Sequence, residues 1–227
     1  MSLTDRLRVN EIFLSIDGEV NPWGQGKFSV FLRLQGCNLF LSKCCSYCDT
    51  KKSQQLDGGT LLFISDVWKK IKSFGCKKIT ITGGEPLNQD IELIIELGLA
   101  YDYDISIETN GTLECNRWWI GLPNISFIID IKLPSSGINE NLIRFDWIQH
   151  MSFYDNTRIK FAVSNKKDFF KACEYISLYE LPINKCAFSP VFADKNMPVK
   201  ELFDLIVKNG YTDAILSVQL HKLVGMR

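Results

Sequence analysis

Six stretches of the chain carry apolar residues at strand spacing, and most are separated by segments whose apolar residues fall at helical spacing. In residues 28–35, FSVFLRLQ, the set Val30, Leu32 and Leu34 alternates with Phe31, Arg33 and Gln35, the period of two that marks a strand. KKITIT (77–82), DISIE (104–108), RIKFAV (158–163) and KCAFSP (185–190) read the same way. ISFIIDIK (125–132) is nearly continuous in apolar residues, as expected of a parallel strand covered on both faces. Helices are predicted over 65–74, 89–100, 139–150, 166–179 and 198–208. In the first, Ser65 suits the N-cap, and Val67, Trp68, Ile71 and Phe74 lie along one side. Residues 115–120 suit a short helix, and 51–60, KKSQQLDGGT, read as polar turn.

Strands alternating with helices over one chain argue for parallel βα units. Six are too few for a full eightfold barrel, so the pattern predicts an α/β fold, a partial (β/α)6 TIM-like barrel, modified and compact. The C-terminal ends of its strands would gather residues 36–50, 82–85, 108–110, 130–132 and 189–190 around one mouth. Ahead of the first unit, Ile12, Leu14 and Ile16 alternate into Asp17-Gly18, a good hairpin turn. A hairpin over 9–27 is therefore expected, either as a plain turn or as a segment offering its backbone and Asp17 or Glu19 to a ligand. In the 28–35 strand the apolar set faces covering helices, which directs Arg33 into the mouth. There it would meet a structural carboxylate, Glu85 or Glu108, or a substrate.

Composition removes several classes of function. The 227 residues hold 26 Lys and Arg against 26 Asp and Glu, a formal charge of zero that advertises neither a nucleic-acid nor a membrane partner. The charged N-terminus has no apolar signal core, and no run of 18 apolar residues occurs, which points to a cytoplasmic protein with reduced thiols. No sequence repeat breaks the chain, so residues 1–227 are expected to form one domain. Four of the eight cysteines are scattered singly, at 76, 115, 173 and 186, and read as small buried hydrophobes.

The other four, Cys37, Cys44, Cys45 and Cys48, crowd into GCNLFLSKCCSYCDT (36–50), just after the 28–35 strand. Thiolates so clustered suit a zinc ion or an iron–sulfur cluster, and the loop taken alone leaves both open. Three thiolates on a cubane leave its fourth iron free for an outside ligand, and polar strand ends around the loop favour such a reactive centre over a zinc knuckle. Gly83-Gly84, directly after a strand, allows either close approach of a ligand or a plain strand-to-helix turn.

NEIFLSIDGE (10–19), FLRLQGCN (31–38), CSYCDT (45–50), ITGGEPL (81–87), ETNGT (108–112), DIKLPSSG (130–137), KFAV (160–163) and QLHKLVG (219–225) run in order over almost the whole chain. With these motifs the chain resembles the radical S-adenosylmethionine (SAM) superfamily, and within it the 7-carboxy-7-deazaguanine synthase family of queuosine and 7-deazapurine biosynthesis. The resemblance implies a compact partial barrel of the radical SAM type that forms homodimers and uses a [4Fe–4S] cluster, SAM, Mg2+ and a reductant such as flavodoxin or ferredoxin. It implies conversion of 6-carboxy-5,6,7,8-tetrahydropterin to 7-carboxy-7-deazaguanine with loss of ammonia. By the same resemblance Cys37, Cys45 and Cys48 hold the cluster, Tyr47 lies near the adenine, and Thr50 binds magnesium. Gly83, Gly84 and Glu85 receive the amino group of SAM, which Asp130, Ile131 and Lys132 and then Ser189, Pro190, Val191 and Phe192 also contact. Ile16, Asp17, Gly18, Arg33, Thr82 and Arg227 fall where the family meets its substrate, under a C-terminal tail (217–227) that caps it.

The chain departs from that pattern twice. Cys37 to Cys45 spans seven intervening residues where the superfamily has three, and Cys44 offers an alternative to Cys45 as the middle ligand. The family turn usually reads QGE, whereas here Asp17 replaces the glutamine, and a carboxylate cannot donate an amide hydrogen. Two competing readings are a radical SAM activase of a glycyl radical enzyme, sharing the cluster and the GGE loop, and a zinc-binding module using all four clustered cysteines.

Overall fold

The computed structural model describes residues 5–42, 45–192 and 197–226. Among the described residues nine strands form one sheet in the order β3-β1-β2-β4-β5-β6-β7-β8-β9, which does not close on itself. They are β1 (Arg6–Ile16), β2 (Phe28–Leu34), β3 (Thr60–Phe63), β4 (Lys78–Gly83), β5 (Asp104–Thr109), β6 (Ile125–Ile131), β7 (Thr157–Val163), β8 (Cys186–Pro190) and β9 (Ile215–Leu216). From β2 through β4 to β9 every neighbouring pair is parallel, and β1 runs antiparallel to both β2 and β3. The six strands read from the alternating pattern are β2 and β4 to β8, so the fold is the expected open partial barrel.

The two faces of the sheet differ sharply. Val30, Leu32, Ile79, Ile81, Ile105, Ile107, Phe127, Ile129, Ile159 and Phe161 lie in the main core with apolar residues of the helices. Those helices are α1 (Ile64–Lys72), α2 (Glu92–Ala100), α3 (Phe145–Ser152), α4 (Lys166–Leu178) and α5 (Val199–Lys208). The alternate set faces the barrel interior, where Ser29, Thr80, Ser106 and Ser126 are fully buried. Ser29 Oγ and Thr80 Oγ1 are 2.8 Å apart, and Ser106 Oγ and Ser126 Oγ 2.9 Å, so these interior hydroxyls satisfy one another across neighbouring strands. No helix among the described residues is long and apolar enough to cross a membrane.

Four local expectations change. The 9–27 segment is not a self-contained hairpin: β1 pairs with β2, and residues 17–27 form the long connection between them. Asp17-Gly18 begins that loop rather than turning it, and hydrogen bonds from Asp17 N to Lys27 O (2.7 Å) and Gly26 N to Asp17 O (2.7 Å) close its base. Within 51–60, a 3-10 turn (Lys51–Ser53) and the start of edge strand β3 replace uniform turn. Ser65 lies inside α1, whose N-cap position is Phe63 with no side-chain cap. Of 139–150 only the last turns belong to α3, preceded by a 3-10 turn at Glu140–Leu142.

Candidate active site

One pocket lies at the C-terminal ends of the parallel strands, and every predicted strand end contributes to it. The cluster loop enters through Cys37, Cys45, Tyr47, Cys48 and Thr50, followed by Arg33 of β2 and Thr82, Gly83 and Gly84 of β4. Glu108 of β5, Asp130 and Lys132 at the end of β6, Lys160 of β7 and Ser189 to Phe192 at and beyond the end of β8 complete the wall. Gly18 and Glu19 reach it from the β1–β2 loop.

The cluster loop is held by backbone and side-chain staples. Gly36 N donates to Ser53 O (2.8 Å) and Cys37 N to Gln54 O (2.9 Å). The buried Gln35 amide donates to Lys52 O (3.0 Å) and Gln55 O (2.7 Å). Farther along, Ser46 donates through N to Ser136 O (3.0 Å) and through Oγ to Ser135 O (2.7 Å). The PSSG segment is thus a seat for this loop, itself fixed by Asp168 of α4, whose Oδ1 accepts from Ser135 N at 3.0 Å. On the other side Asn38 donates to Thr112 Oγ1 (2.7 Å) and accepts from Asn110 Nδ2 (3.1 Å), which ties in the ETNGT turn.

Gly83 and Gly84 bring β4 against the start of the cluster loop. A Cβ on Gly83, at φ +144°, would run into the Leu34 backbone, and one on Gly84 into Gly36 O and Ser53 O. Close approach is required here, first of all by the protein's own backbone. Glu85 is placed differently from expectation: fully buried and absent from the pocket lining, it accepts from Leu87 N (3.0 Å), Thr109 Oγ1 (2.9 Å) and Asn110 N (2.7 Å). Burial pushes its carboxyl up to about 7 against those three donors. Ile131 likewise faces the core rather than the pocket.

Arg33 does line the pocket, but its protein partner is neither Glu85 nor Glu108. Nε donates to Glu11 Oε1 at 3.0 Å, from the residue directly opposite on β1, and the guanidinium lies 5.7 Å from the Phe13 ring centre. Glu11 also pairs with Lys52 (3.0 Å). Burial opposes its ionisation, but the hydrogen bonds and charges of Lys52 and Arg33 outweigh that and hold its carboxyl below the usual range. This hydrogen bond engages Nε, and a guanidinium carries four further donors.

Opposite Arg33 runs a chain of alternating charges. Glu19 pairs with Lys160, Lys160 with Asp130 at 3.1 Å, and Asp130 with Lys132 at 3.0 Å. Burial would neutralise Lys132, but the charge of Asp130 and then that of a Cys45 thiolate outweigh it and raise its pKa well above the usual value. Asp130 is lowered on the same balance, with Lys132 and Lys160 overriding burial. Glu108 is raised by burial and then by the Glu19 charge. Glu19 reaches the pocket as the ligand-offering alternative for the 9–27 segment expects, whereas Lys160 is the signal that motif reading passes over, although it is a lysine on the interior face of an apolar strand. Two buried atoms of pocket-lining residues, Asp130 Oδ1 and Tyr47 Oη, have no hydrogen-bond partner among the described residues. They are acceptor and donor positions for a polar ligand.

A short helix α6 (Leu220–Leu223) closes one side. Leu220 N donates to Gly18 O (2.8 Å), Gln219 Nε2 to Glu19 Oε1 (2.6 Å), and Lys222 pairs with Asp49. Ile16 and Asp17 do not line the pocket. Cys44 and Arg227 lie outside the described residues. Cys37, Cys45 and Cys48 carry thiols, not disulfides. No three His, Cys, Asp or Glu side chains among the described residues are grouped to hold a metal ion. A cubane asks less of the thiols, because each ligand binds a separate corner of the cluster.

A model of the radical SAM superfamily matches residues 32–118. The chain is similar to the 7-carboxy-7-deazaguanine synthase of Clostridium acetobutylicum, 36% identical over 96% of this chain and 95% of that one. It is 31% identical to that of Chlorobaculum tepidum over 99% of this chain and 96% of the other. Among solved structures, QueE from Escherichia coli is similar over 95% of both chains with a TM-score of 0.70 and 23% identity. Native anSMEcpe with bound AdoMet is similar over 85% of this chain and 65% of that one, with a TM-score of 0.53 and 17% identity. At those identities the two structures bear on the fold alone.

Proposed function

The chain belongs to the 7-carboxy-7-deazaguanine synthase family of radical SAM enzymes, and we propose how its own residues divide that family's work. It is an enzyme acting on a small molecule, and the reading gives it 6-carboxy-5,6,7,8-tetrahydropterin as substrate and 7-carboxy-7-deazaguanine and ammonia as products. The observation that carries the reading is the convergence of most of the matched positions, from five separate strand ends, on one pocket, with Ile16, Asp17, Glu85 and Ile131 outside its lining.

Cys37, Cys45 and Cys48 would hold a [4Fe–4S] cluster by three corners, and the donor set fits: three thiols on one stapled loop facing a shared pocket. SAM would lie against Gly83, Gly84, Tyr47, Asp130, Lys132 and the Ser189–Phe192 segment, where Asp130 Oδ1 and Tyr47 Oη await partners. When bound, cluster and SAM supply the 5′-deoxyadenosyl radical that starts the reaction. Arg33 and Thr82, with Gly18 and Glu19, would hold the pterin: the guanidinium offers paired donors to its carboxylate and ring oxygen, and Glu19 can accept from its amino-pyrimidinone edge. Thr50 Oγ1, 3.8 Å from Cys48 Sγ, would give magnesium one hard ligand, the rest coming from substrate and water. A reduced flavodoxin or ferredoxin as donor, a homodimer as assembly and a cytoplasmic location complete the proposal.

A glycyl radical activase must admit a protein segment, whereas α6 is fastened across this pocket by Gln219 and Lys222, which favours a small substrate. The test is pterin-stimulated SAM cleavage in anaerobic protein with a reconstituted cluster. Formation of 5′-deoxyadenosine should rise at least tenfold when 6-carboxytetrahydropterin and magnesium are added. Cleavage indifferent to the pterin would contradict the reading.

A further inference from the structure

Asp17 stands where the family turn has glutamine, and its carboxylate points away from the pocket. It is 3% exposed. It accepts from Thr80 Oγ1 at 3.0 Å and from Asn21 Nδ2 at 3.1 Å, and it is paired with the ammonium of Lys78, itself 5% exposed. The same Asn21 amide also donates to Ser106 Oγ at 2.8 Å. Apart from Asn21, all these partners sit on the interior face of β4 or β5, so the loop that enters the pocket is anchored from below.

Lys78, Thr80 and Thr82 share one face of β4, and Thr82 lines the pocket. Four residues of strand put Lys78 about 13 Å beneath Thr82, too deep to meet a ligand in the mouth. Glutamine at 17 would take away the one carboxylate in contact with that buried ammonium and leave it only the more distant charges of Glu108 and Asp104, an unfavourable arrangement. Asp17 and Lys78 therefore belong together. One and two residues beyond Asp17, Gly18 and Glu19 do line the pocket, and both are then fixed from above by Leu220 N and Gln219 Nε2.

We propose that Asp17 and Lys78 are a positioning pair, a buried anchor that sets the depth and direction at which the Gly18 backbone and the Glu19 carboxylate are presented to the substrate. Asp17 is then not a substrate contact, although it occupies the place of one. The inference rests on the pterin reading of the pocket.

The test uses full-length protein with its cluster, prepared anaerobically as wild type, Asp17→Asn, Lys78→Met, the Asp17→Asn/Lys78→Met double variant and Lys78→Arg. Iron content, SAM affinity, and kcat and KM for 6-carboxytetrahydropterin are measured. Each neutralising single variant should raise KM about tenfold with iron content and SAM affinity unchanged. The double variant, with no charge left unpaired, should recover most of that loss. Should a lone buried charge prevent folding, Lys78→Arg keeps the charge but alters the anchor's length and shape, and should raise KM severalfold. A normal KM in Lys78→Met beside a raised one in Asp17→Asn, without recovery in the double variant, would make Asp17 a direct contact and overturn the proposal. Lowered thermal stability with unchanged KM throughout would reduce the pair to a structural one and overturn it equally. A wild type that does not convert the pterin would contradict the underlying reading as well, whereas an active wild type with unaffected variants contradicts only this inference.

Discussion

Arg33 lines the pocket from β2 and is tied by Nε to Glu11 of β1. Its direction follows from the alternation of β2, but Glu11 as its partner depends on the register of β1, which shifts between Val9 and Glu11 and cannot be read from the chain. With Nε donating to Glu11, the guanidinium has four further donors from which to form the two-pronged contact a carboxylated pterin invites. Arg33→Lys keeps the charge and loses that geometry, so pterin binding should weaken by roughly 1.5–3 kcal/mol while iron content and SAM affinity hold. Substrate titration decides it: normal binding with lower thermal stability would confine Arg33 to its cross-strand pair. Glu85 gives a second test at this scale. Burial raises its carboxyl from its ordinary 4.5 to about 7. Between those values the unfolded chain ionises while the folded one keeps its proton, so the contribution to stability is intact below pH 4.5 and lost by pH 7. The loss is on the order of 3 kcal/mol. In urea unfolding, the advantage of wild type over Glu85→Gln should therefore be larger at about pH 5 than at about pH 7.5. An advantage that stays constant would mean the three donors keep Glu85 ionised throughout. The GGE motif is visible in the sequence. That its glutamate faces inward, organising the ETNGT turn, is not, because two of the three donors that claim it, Thr109 and Asn110, come from a distant segment.

At the scale of elements, the strands with a long apolar face are legible and the short ones are not. β3 exposes Thr60 and Leu61 at an edge of the sheet, and β9 has two residues, so neither carries enough periodicity to separate from a loop. Helix ends drift for the same reason: α1 begins without a side-chain cap, and 3-10 turns precede α2 and α3. Gly84 shows what the elements are built to bring together. Its missing Cβ lets β4 lie against Gly36 O and Ser53 O, the two ends of the stapled cluster loop. Gly84→Ala must push that loop outward, so the variant should retain less than half of the wild-type iron after anaerobic reconstitution while its helices persist by circular dichroism. Wild-type iron content in a folded variant would show that the contact is dispensable.

For the whole molecule, the open sheet divides its labour between two faces: helices seal the outer one with apolar residues, and the inner one carries hydroxyls and charged groups beside Phe31 and Ile128. Alternating charges, three thiols and a tail fastened over the opening then meet in a single pocket that no one motif reveals. The parallel order and the mouth can be inferred from strand spacing, and the cysteine loop marks a thiolate site while leaving zinc and iron–sulfur both open. The Glu19–Lys160–Asp130–Lys132 chain and the latch from Lys222 to Asp49 appear only when distant segments are folded together. The central claim is that this pocket contracts the pterin ring. It is tested most directly by anaerobic incubation with SAM, reductant, magnesium and 6-carboxytetrahydropterin, followed by mass analysis of the products. The account predicts 7-carboxy-7-deazaguanine together with one ammonia per product molecule. Recovery of unchanged pterin beside 5′-deoxyadenosine would contradict it.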